Sequence, residues 1–274
     1  MKALAASSIG QYQQSVSALA DYSRTLELGL SQCLPQSFTQ WMTGATAQQG
    51  AAVPLRAIVF GSDQGLVGRF NEVIVEQAIA ELAGHRRKSE VWAVGERVHA
   101  RLADAGLAPQ RLFEVPGSVD GVAPLVAQIL VGIESTCGNL ATSELYLFYN
   151  QLSSEASYRP VSLRLLPLDH EWMSGLRRMP WPTPLPPEVF GERAETLRSL
   201  LGEYIFIAIF RACAESLASE NSSRLAAMQR ADSNIDDLLV GLHVDFHRLR
   251  QSGIDEELFD VVAGFEALSG SPPG

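Results

Sequence analysis

The chain has 274 residues, 46% of them hydrophobic, with a formal net charge of −10. This length predicts one or two domains, and the acidic balance argues against a protein that binds nucleic acid or an anionic membrane. Three scattered cysteines (Cys33, Cys137 and Cys213) are too few for a disulfide framework or a zinc site, so we interpret them as reduced cytosolic core residues. The most apolar run, residues 204–210, is far shorter than the roughly 20 residues that span a bilayer, which predicts no direct membrane insertion.

The first predicted segment, residues 1–42, is an N-terminal helix. Apolar residues recur at helical spacing through it, and the helix is expected to end near Pro35. Residues 43–54 are small and polar and predict a linker.

Residues 55–168 predict an inserted α/β domain, because short β-rich runs alternate there with helical patterns. Such alternation implies crossover connections and a mainly parallel, Rossmann-like sheet. The predicted strands are Leu55–Phe60, Val91–Val94, Leu112–Val115, Leu145–Tyr149 and Val161–Leu168.

A proline-rich connection, residues 169–187, leads into a long helix over residues 188–268 and a short tail, residues 269–274. The helix stretch contains no proline, and its apolar residues form a coiled-coil-like seam. At about 1.5 Å per residue it would be about 115 Å long, more than the rest of this chain could bury. We therefore expect a partner outside the chain to surround part of it. The seam residues are Leu225, Met228, Ile235, Leu239, Leu242, Phe246 and Leu249.

A glycine-containing turn over residues 61–71 follows the first predicted strand and opens a helix. Amides at such a turn could cradle a phosphate, but the spacing matches neither the dinucleotide fingerprint nor a P-loop. A tight turn that needs glycine for its backbone is the favoured interpretation. The candidate residues of this structural turn are Ser62, Asp63, Gly65, Gly68 and Asn71.

No catalytic, metal or cofactor site is predicted. His243 and His247 lie four apart but have no evident third ligand, and Asp169–His170 is interpreted as loop. Two polar stretches of the long helix each leave two interpretations open. Residues 216–224 are small and indicate either close helix packing or a smooth surface for a partner. Residues 250–257 indicate either a solvated face or specific partner contacts.

Two blocks of the sequence resemble the gamma subunit of F-type ATP synthases. Residues 62–71, Ser-Asp-Gln-Gly-Leu-Val-Gly-Arg-Phe-Asn, are similar to the family's Ser-Asp-Arg-Gly-Leu-Cys-Gly-Gly-Leu/Phe-Asn. Residues 215–264 are similar, without a gap, to the family's C-terminal signature, and Tyr149–Asn150 and residues 165–168 match weaker central blocks. The resemblance covers nearly the whole chain.

The resemblance implies an α/β fold in which the N- and C-terminal helices form an antiparallel coiled coil beside the inserted domain. It implies the rotor of the central stalk of a proton- or sodium-translocating ATP synthase, which couples ion flow to ATP synthesis or hydrolysis on the beta subunits. Such a subunit is non-catalytic and needs no cofactor. The implied location is peripheral, on the cytoplasmic face of a bacterial plasma membrane.

The implied partners are the alpha and beta subunits, the epsilon subunit and the ring of c subunits. By the same resemblance, Arg250 and Gln251 match residues that engage a beta-subunit loop, and Arg224 and Glu257 fall on positions that face the alpha/beta ring. Asp255 lies in the same stretch, at a position where the family commonly has a threonine.

Several departures indicate a divergent branch, such as the alternate ATPase found beside a standard one in some bacteria. Gln64 and Val67 replace the family's arginine and cysteine, and the chain is acidic where gamma subunits are often basic. Met1–Ala6 resembles an internal part of the family's first helix. We therefore expect either that the native start lies upstream or that the shaft is one-sided at its tip.

Two other classes of protein compete with the rotor interpretation. A nucleotide-binding α/β protein would use the Gly61–Gly68 turn and bind ATP or NAD as an isolated chain. A free-standing coiled-coil adaptor would be stable alone and would not associate with alpha and beta subunits.

Overall fold

The computed structural model describes residues 2–34, 55–85, 89–137, 144–153, 158–185 and 187–269. The chain divides into two compact units, Met1–Leu225 and Ala226–Gly274. None of the helices formed by the described residues is long and apolar enough to cross a membrane. The linker predicted at residues 43–54 and the end of the predicted N-terminal helix segment at residue 42 lie outside the described residues.

The first unit contains a five-stranded sheet with helices on both faces. In chain order the elements are α1 (Lys2–Cys33), β1 (Leu55–Phe60), α2 (Phe70–Ala83), β2 (Ser89–Val94), α3 (Glu96–Asp104), β3 (Arg111–Phe113), a 3₁₀ turn (Val119–Gly121), α4 (Val122–Cys137), β4 (Glu144–Leu152), β5 (Tyr158–Leu166), α5 (His170–Arg177) and α6 (Arg193–Ser269). The last helix continues into the second unit, where residues 226–269 are all helical.

The sheet has the strand order β3-β2-β1-β4-β5. Strands β1 to β4 pair in parallel, and β5 is antiparallel to β4. Alternate residues of β1 enter two separate cores: Ile58 packs on the side of α1, α4 and α6, and Val59 on the side of α2 and α3. Strands buried on both faces read as continuous apolar runs, which is why β1 and β4 were predictable. The predicted fold class is confirmed.

Helices α1 and α6 pack antiparallel within the first unit. The hydroxyl of Tyr22 lies 3.4 Å from the carboxylate of Glu203. About two turns further along α1, a Cβ on Gly29 would lie 3.5 Å from a methyl group of Leu200. As residue numbers rise along α1, the residue numbers of the α6 positions that it contacts fall, so the two helices run antiparallel. Leu30 is fully buried in the same core cluster as Ile205 and Ile209 of α6.

The structure differs from the sequence prediction in the connection before the long helix. We expect a proline-rich connection over residues 169–187, yet α5 forms within it and buries Met173 and Leu176. The prolines begin only at Pro180, so nothing prevents a helix before it. The ring of Trp172 then packs against Tyr204 of α6, with ring centroids 4.6 Å apart.

A buried charge cluster fixes the start of the sheet. Arg56 of β1 is 1% exposed and pairs with Glu90 of β2 at 2.8 Å. Glu90 also accepts a hydrogen bond from the indole of Trp92, and the guanidinium of Arg111 lies 4.9 Å from the Trp92 ring centroid. The Glu90 carboxylate and the Trp92 indole face together compensate the Arg56 cation, which would otherwise be costly to bury, whereas Arg111 is exposed.

The α1–α6 contact generates a stability prediction. We expect Leu30→Ala to lower the free energy of unfolding by about 2–5 kcal/mol, because it removes buried methyl groups and leaves a cavity. Leu238→Ala is the matched control, since Leu238 is 67% exposed on α6, and we expect a change of less than about 0.5 kcal/mol. Urea denaturation of both variants measures the difference, and equal effects would contradict the described packing.

Candidate functional site

The glycine-containing turn is closed by its own side chains. The amide oxygen of Asn71 accepts a hydrogen bond from the backbone N–H of Ser62 at 3.0 Å, and its NH₂ donates to the Ser62 hydroxyl at 2.9 Å. Both residues are buried. Gly68 and, unusually, Leu66 adopt positive φ, at 58° and 61°. Leu66 has a backbone conformation that glycine adopts more readily, which indicates that the surrounding contacts hold the turn in place.

Asp63 fastens the same turn to two other segments. One carboxylate oxygen accepts a hydrogen bond from the backbone N–H of Glu96, at the start of α3, and the other accepts from Val115 after β3, both at 2.9 Å. The carboxylate thus occupies a helix N-terminus, which is where a phosphate would otherwise be attracted. A fixed negative charge at this position disfavours a phosphate ligand and supports the interpretation of residues 61–71 as a structural turn.

Helix α6 packs directly on this turn and on the end of β4. The hydroxyl of Ser223 donates to the carbonyl of Val67. The hydroxyl of Ser219 is shared between the carbonyl of Asn150 at 3.0 Å and that of Glu215, on its own helix, at 2.8 Å. Asn150 in turn donates from its NH₂ to the carbonyl of Phe70 at 3.0 Å. We call this contact the docking junction, and define it by its residues on both sides: Ser62, Val67, Asn150, Ser219, Glu220 and Ser223.

The small residues of α6 are therefore used inside the chain. Residues 216–220 and 222–223 are buried. Of the two interpretations of residues 216–224, close packing is the one that the structure describes. Small side chains allow the helix backbone to approach the turn, so that the two serine hydroxyls reach main-chain carbonyls.

Glu220 is the buried charge of the docking junction. It is 4% exposed, and one of its carboxylate oxygens accepts a hydrogen bond from Arg224 one turn later. The other oxygen has no hydrogen-bond partner among the described residues. Burial raises the pKa of Glu220 to about 7; Arg224 lowers this pKa and the Asp63 carboxylate raises it further. Tyr12 of α1 and Cys213 of α6 face the same carboxylate. Burial is the main cause that raises the pKa values of both groups, and the negative charge of Glu220 raises them further.

Arg224 is the first of the predicted partner-contact residues. Its side chain is 16% exposed and its charge is already paired with Glu220. The remaining four, Arg250, Gln251, Asp255 and Glu257, lie on the exposed part of α6 in the second unit. They are seven residues apart at most, so they share two helical turns and do not converge on a cavity. His243 and His247 are exposed on the same helix, and no group of three or more metal-ligating side chains occurs among the described residues.

The sequence alone did not predict the burial of Glu220 or the contacts of Asn150. A local signal existed for Glu220, because a carboxylate four residues before an arginine on a helix predicts an ion pair. The depth of its burial had no local signal. The Asn150 contacts join residues 80 and 69 positions apart, which no short pattern encodes.

The close approach of two turns in the insert generates a prediction. Gly95 and Gly106 both have positive φ, at 115° and 83°, but only a Cβ at Gly95 would meet backbone, 2.8 Å from the carbonyl oxygen of Ser62. We expect Gly106→Ala to cost about 1–2 kcal/mol of unfolding free energy and Gly95→Ala to cost clearly more. Chemical denaturation compares the two; an equal cost would contradict the Ser62–Gly95 contact.

The burial of Glu220 generates a pH prediction. Because its folded pKa is raised from 4.5 to about 7, its contribution to stability is fully present below about pH 4.5 and is lost as pH rises through about 7. We therefore expect wild-type stability to fall, relative to the Glu220→Gln variant, between about pH 4.5 and about pH 7. Urea titrations at both pH values measure this. Glu195→Gln, an exposed change on the same helix, should track the wild type. A constant difference between wild type and Glu220→Gln would contradict the assignment.

The chain is similar to known proteins over most of its length. The family model described as ATP synthase matches residues 1–268. An ATP synthase gamma chain of Syntrophus aciditrophicus is 30% identical over 224 residues, covering 78% of this chain and 74% of that protein. One from Clostridium botulinum is 28% identical over 212 residues, covering 77% and 71%.

A chain in the structure of the Euglena gracilis mitochondrial ATP synthase, OSCP/F1/c-ring, in rotational state 3, shares the fold. The TM-score is 0.59 at 15% identity, and the match covers 98% of this chain and 97% of that chain. These matches confirm the resemblance seen in residues 62–71 and 215–264. The chain therefore belongs to the ATP synthase family, as a gamma chain.

Proposed function

We propose that this gamma chain is the non-catalytic rotor of an ion-translocating ATP synthase and that the second half of α6 is the surface gripped by the catalytic ring. One observation carries the proposal: every residue from 229 to 268 is exposed, including large apolar side chains that a folded chain ordinarily buries. A gamma chain with such a helix needs a partner to cover it.

Ten of the fifteen large exposed apolar residues between 235 and 268 form two successive stripes. Each stripe repeats at steps of three and four, as a helix seam does, but the step from Leu249 to Ile254 is five. One residue beyond the usual step of four turns the apolar face by about 100°. The first stripe comprises Ile235, Leu239, Leu242, Phe246 and Leu249, and the second comprises Ile254, Leu258, Val261, Phe265 and Leu268.

This change of face gives the helix the asymmetry that a rotor requires. A surrounding ring of equivalent subunits meets an apolar face in one direction at the first stripe and in another at the second. Each subunit is therefore biased toward a different conformation, and turning the helix exchanges those biases. The role requires no chemistry on this chain, since it works only through differential contact.

The partners follow from that role. The alternating alpha and beta subunits form the ring around α6, and the epsilon subunit and the ring of c subunits contact the first unit. The assembly lies peripherally on the cytoplasmic face of the bacterial plasma membrane and moves protons or sodium ions. Within the ring contact, Arg250 and Gln251 engage a beta-subunit loop and Asp255 and Glu257 flank it. Arg224 acts as a positioning residue, because Glu220 already neutralises it.

A double substitution tests the ring contact. We expect Arg250→Leu with Gln251→Leu to lower ATP-driven ion pumping by about tenfold or more, because charge-assisted hydrogen bonds contribute about 1.5–3 kcal/mol each. Pumping in inverted membrane vesicles and co-purification with alpha and beta subunits measure the effect.

The control is Gln229→Leu with Arg230→Leu, which makes the same two changes on the same exposed helix. It should retain pumping and assembly. Wild-type pumping by the Arg250/Gln251 variant would count against these two residues, and failure of the wild-type chain to join the alpha/beta ring would refute the rotor proposal itself.

A further inference from the structure

The second unit is more acidic than the chain as a whole. Residues 226–274 carry nine aspartates and glutamates against three arginines, a net charge of −6 out of the total of −10. No lysine occurs in this unit. The acidic residues are Asp232, Asp236, Asp237, Asp245, Asp255, Glu256, Glu257, Asp260 and Glu266.

Three arginines cannot neutralise nine carboxylates within this unit. Arg248 pairs with Asp245 at 3.3 Å, with both side chains largely exposed. Asp255, Glu256 and Glu257 are consecutive, and Asp260 lies one turn after Glu256 on the same face. Like charges four residues apart on a helix repel, each pair costing about 0.2–0.5 kcal/mol. The repulsion disappears when cations approach from outside.

The charge and the apolar stripes lie together. In residues 254–268 the stripe from Ile254 to Leu268 occupies one side of the helix, and Asp255, Glu256 and Asp260 lie on the sides next to it and opposite it. A surface that covers the stripe and also encloses the helix therefore meets carboxylates on the helix's remaining faces. Burying carboxylates against neutral or acidic groups would be costly.

We infer that the surface enclosing residues 226–269 is lined with arginine and lysine side chains around apolar contacts. This inference rests on the proposed function, and it specifies the chemistry of the ring that accepts this rotor. A ring with an acidic lining repels the helix, so the charge pattern also selects between gamma chains when a cell makes two such enzymes. Partner choice is then set by electrostatic complementarity, which acts most strongly on the rate of association.

Ionic strength provides the test, since screening shortens the reach of charges from about 10 Å at 0.1 M salt to about 3 Å at 1 M. The wild-type chain is mixed with its cognate alpha and beta subunits, and the rate of complex formation is followed by light scattering. We expect the rate to fall at least about tenfold between about 50 mM and about 500 mM salt.

Two matched variants identify the source of that dependence. The first neutralises four acidic residues of the second unit: Asp236→Asn, Asp237→Asn, Glu256→Gln and Asp260→Asn. The second neutralises four exposed acidic residues of the first unit: Asp104→Asn, Glu114→Gln, Asp120→Asn and Glu188→Gln. Both change the net charge equally. Circular dichroism confirms that each retains its helix content.

We expect the helix variant to associate several-fold more slowly at low salt and to lose most of the salt dependence, while the second variant follows the wild type. Equal salt dependence in the two variants, or association of the wild type that is insensitive to salt, overturns the basic lining and leaves the rotor role intact. If the wild type forms no complex with the ring at any salt concentration, the proposed function itself fails.

Discussion

Two serine hydroxyls hold the long helix against the inserted domain, and much of the first unit is arranged around that contact. Ser219 and Ser223 donate to the carbonyls of Asn150 and Val67, at the end of a sheet strand and in the glycine-containing turn. Buried carbonyls need donors, and only short side chains can supply them while the helix backbone stays close. The glycine-containing turn must itself be rigid, which explains the Ser62–Asn71 pair and the two hydrogen bonds accepted by Asp63.

A carboxylate beside these serines makes the contact specific at some cost in stability. Glu220 is buried with one oxygen bound to Arg224, and a buried ion pair seldom stabilises a fold more than apolar residues would. Its value lies in selecting one arrangement. A slip of the helix by one residue would carry the Glu220–Arg224 pair along with it, place that charge pair against other neighbours, and separate both serines from their carbonyls. A subunit that transmits rotation needs a joint of this kind, because a joint that slips transmits no torque.

The sequence predicted the elements better than it predicted the contacts between them. The strands beginning at Leu55 and Leu145 were predictable because they are buried on both faces, and the long helix because its stripe repeats without proline. The blocks at residues 62–71 and 215–264 carried the family resemblance. The connections of Asp63 to Glu96 and Val115 could not be predicted, since they span 33 and 52 residues and leave no local pattern. Helix α5 was missed because the density of prolines after residue 179 hid a short amphipathic stretch before them.

Both edges of the sheet are short or interrupted. Strand β3 has three residues, and β5 carries Pro160 between two charged positions, Arg159 and Arg164. Such edges recruit foreign strands poorly, because a proline lacks the amide donor and charges resist burial. A newly made subunit with a long uncovered apolar helix is already at risk of aggregation before assembly. Short or interrupted sheet edges and a surplus of negative charge both disfavour aggregation of the free subunit.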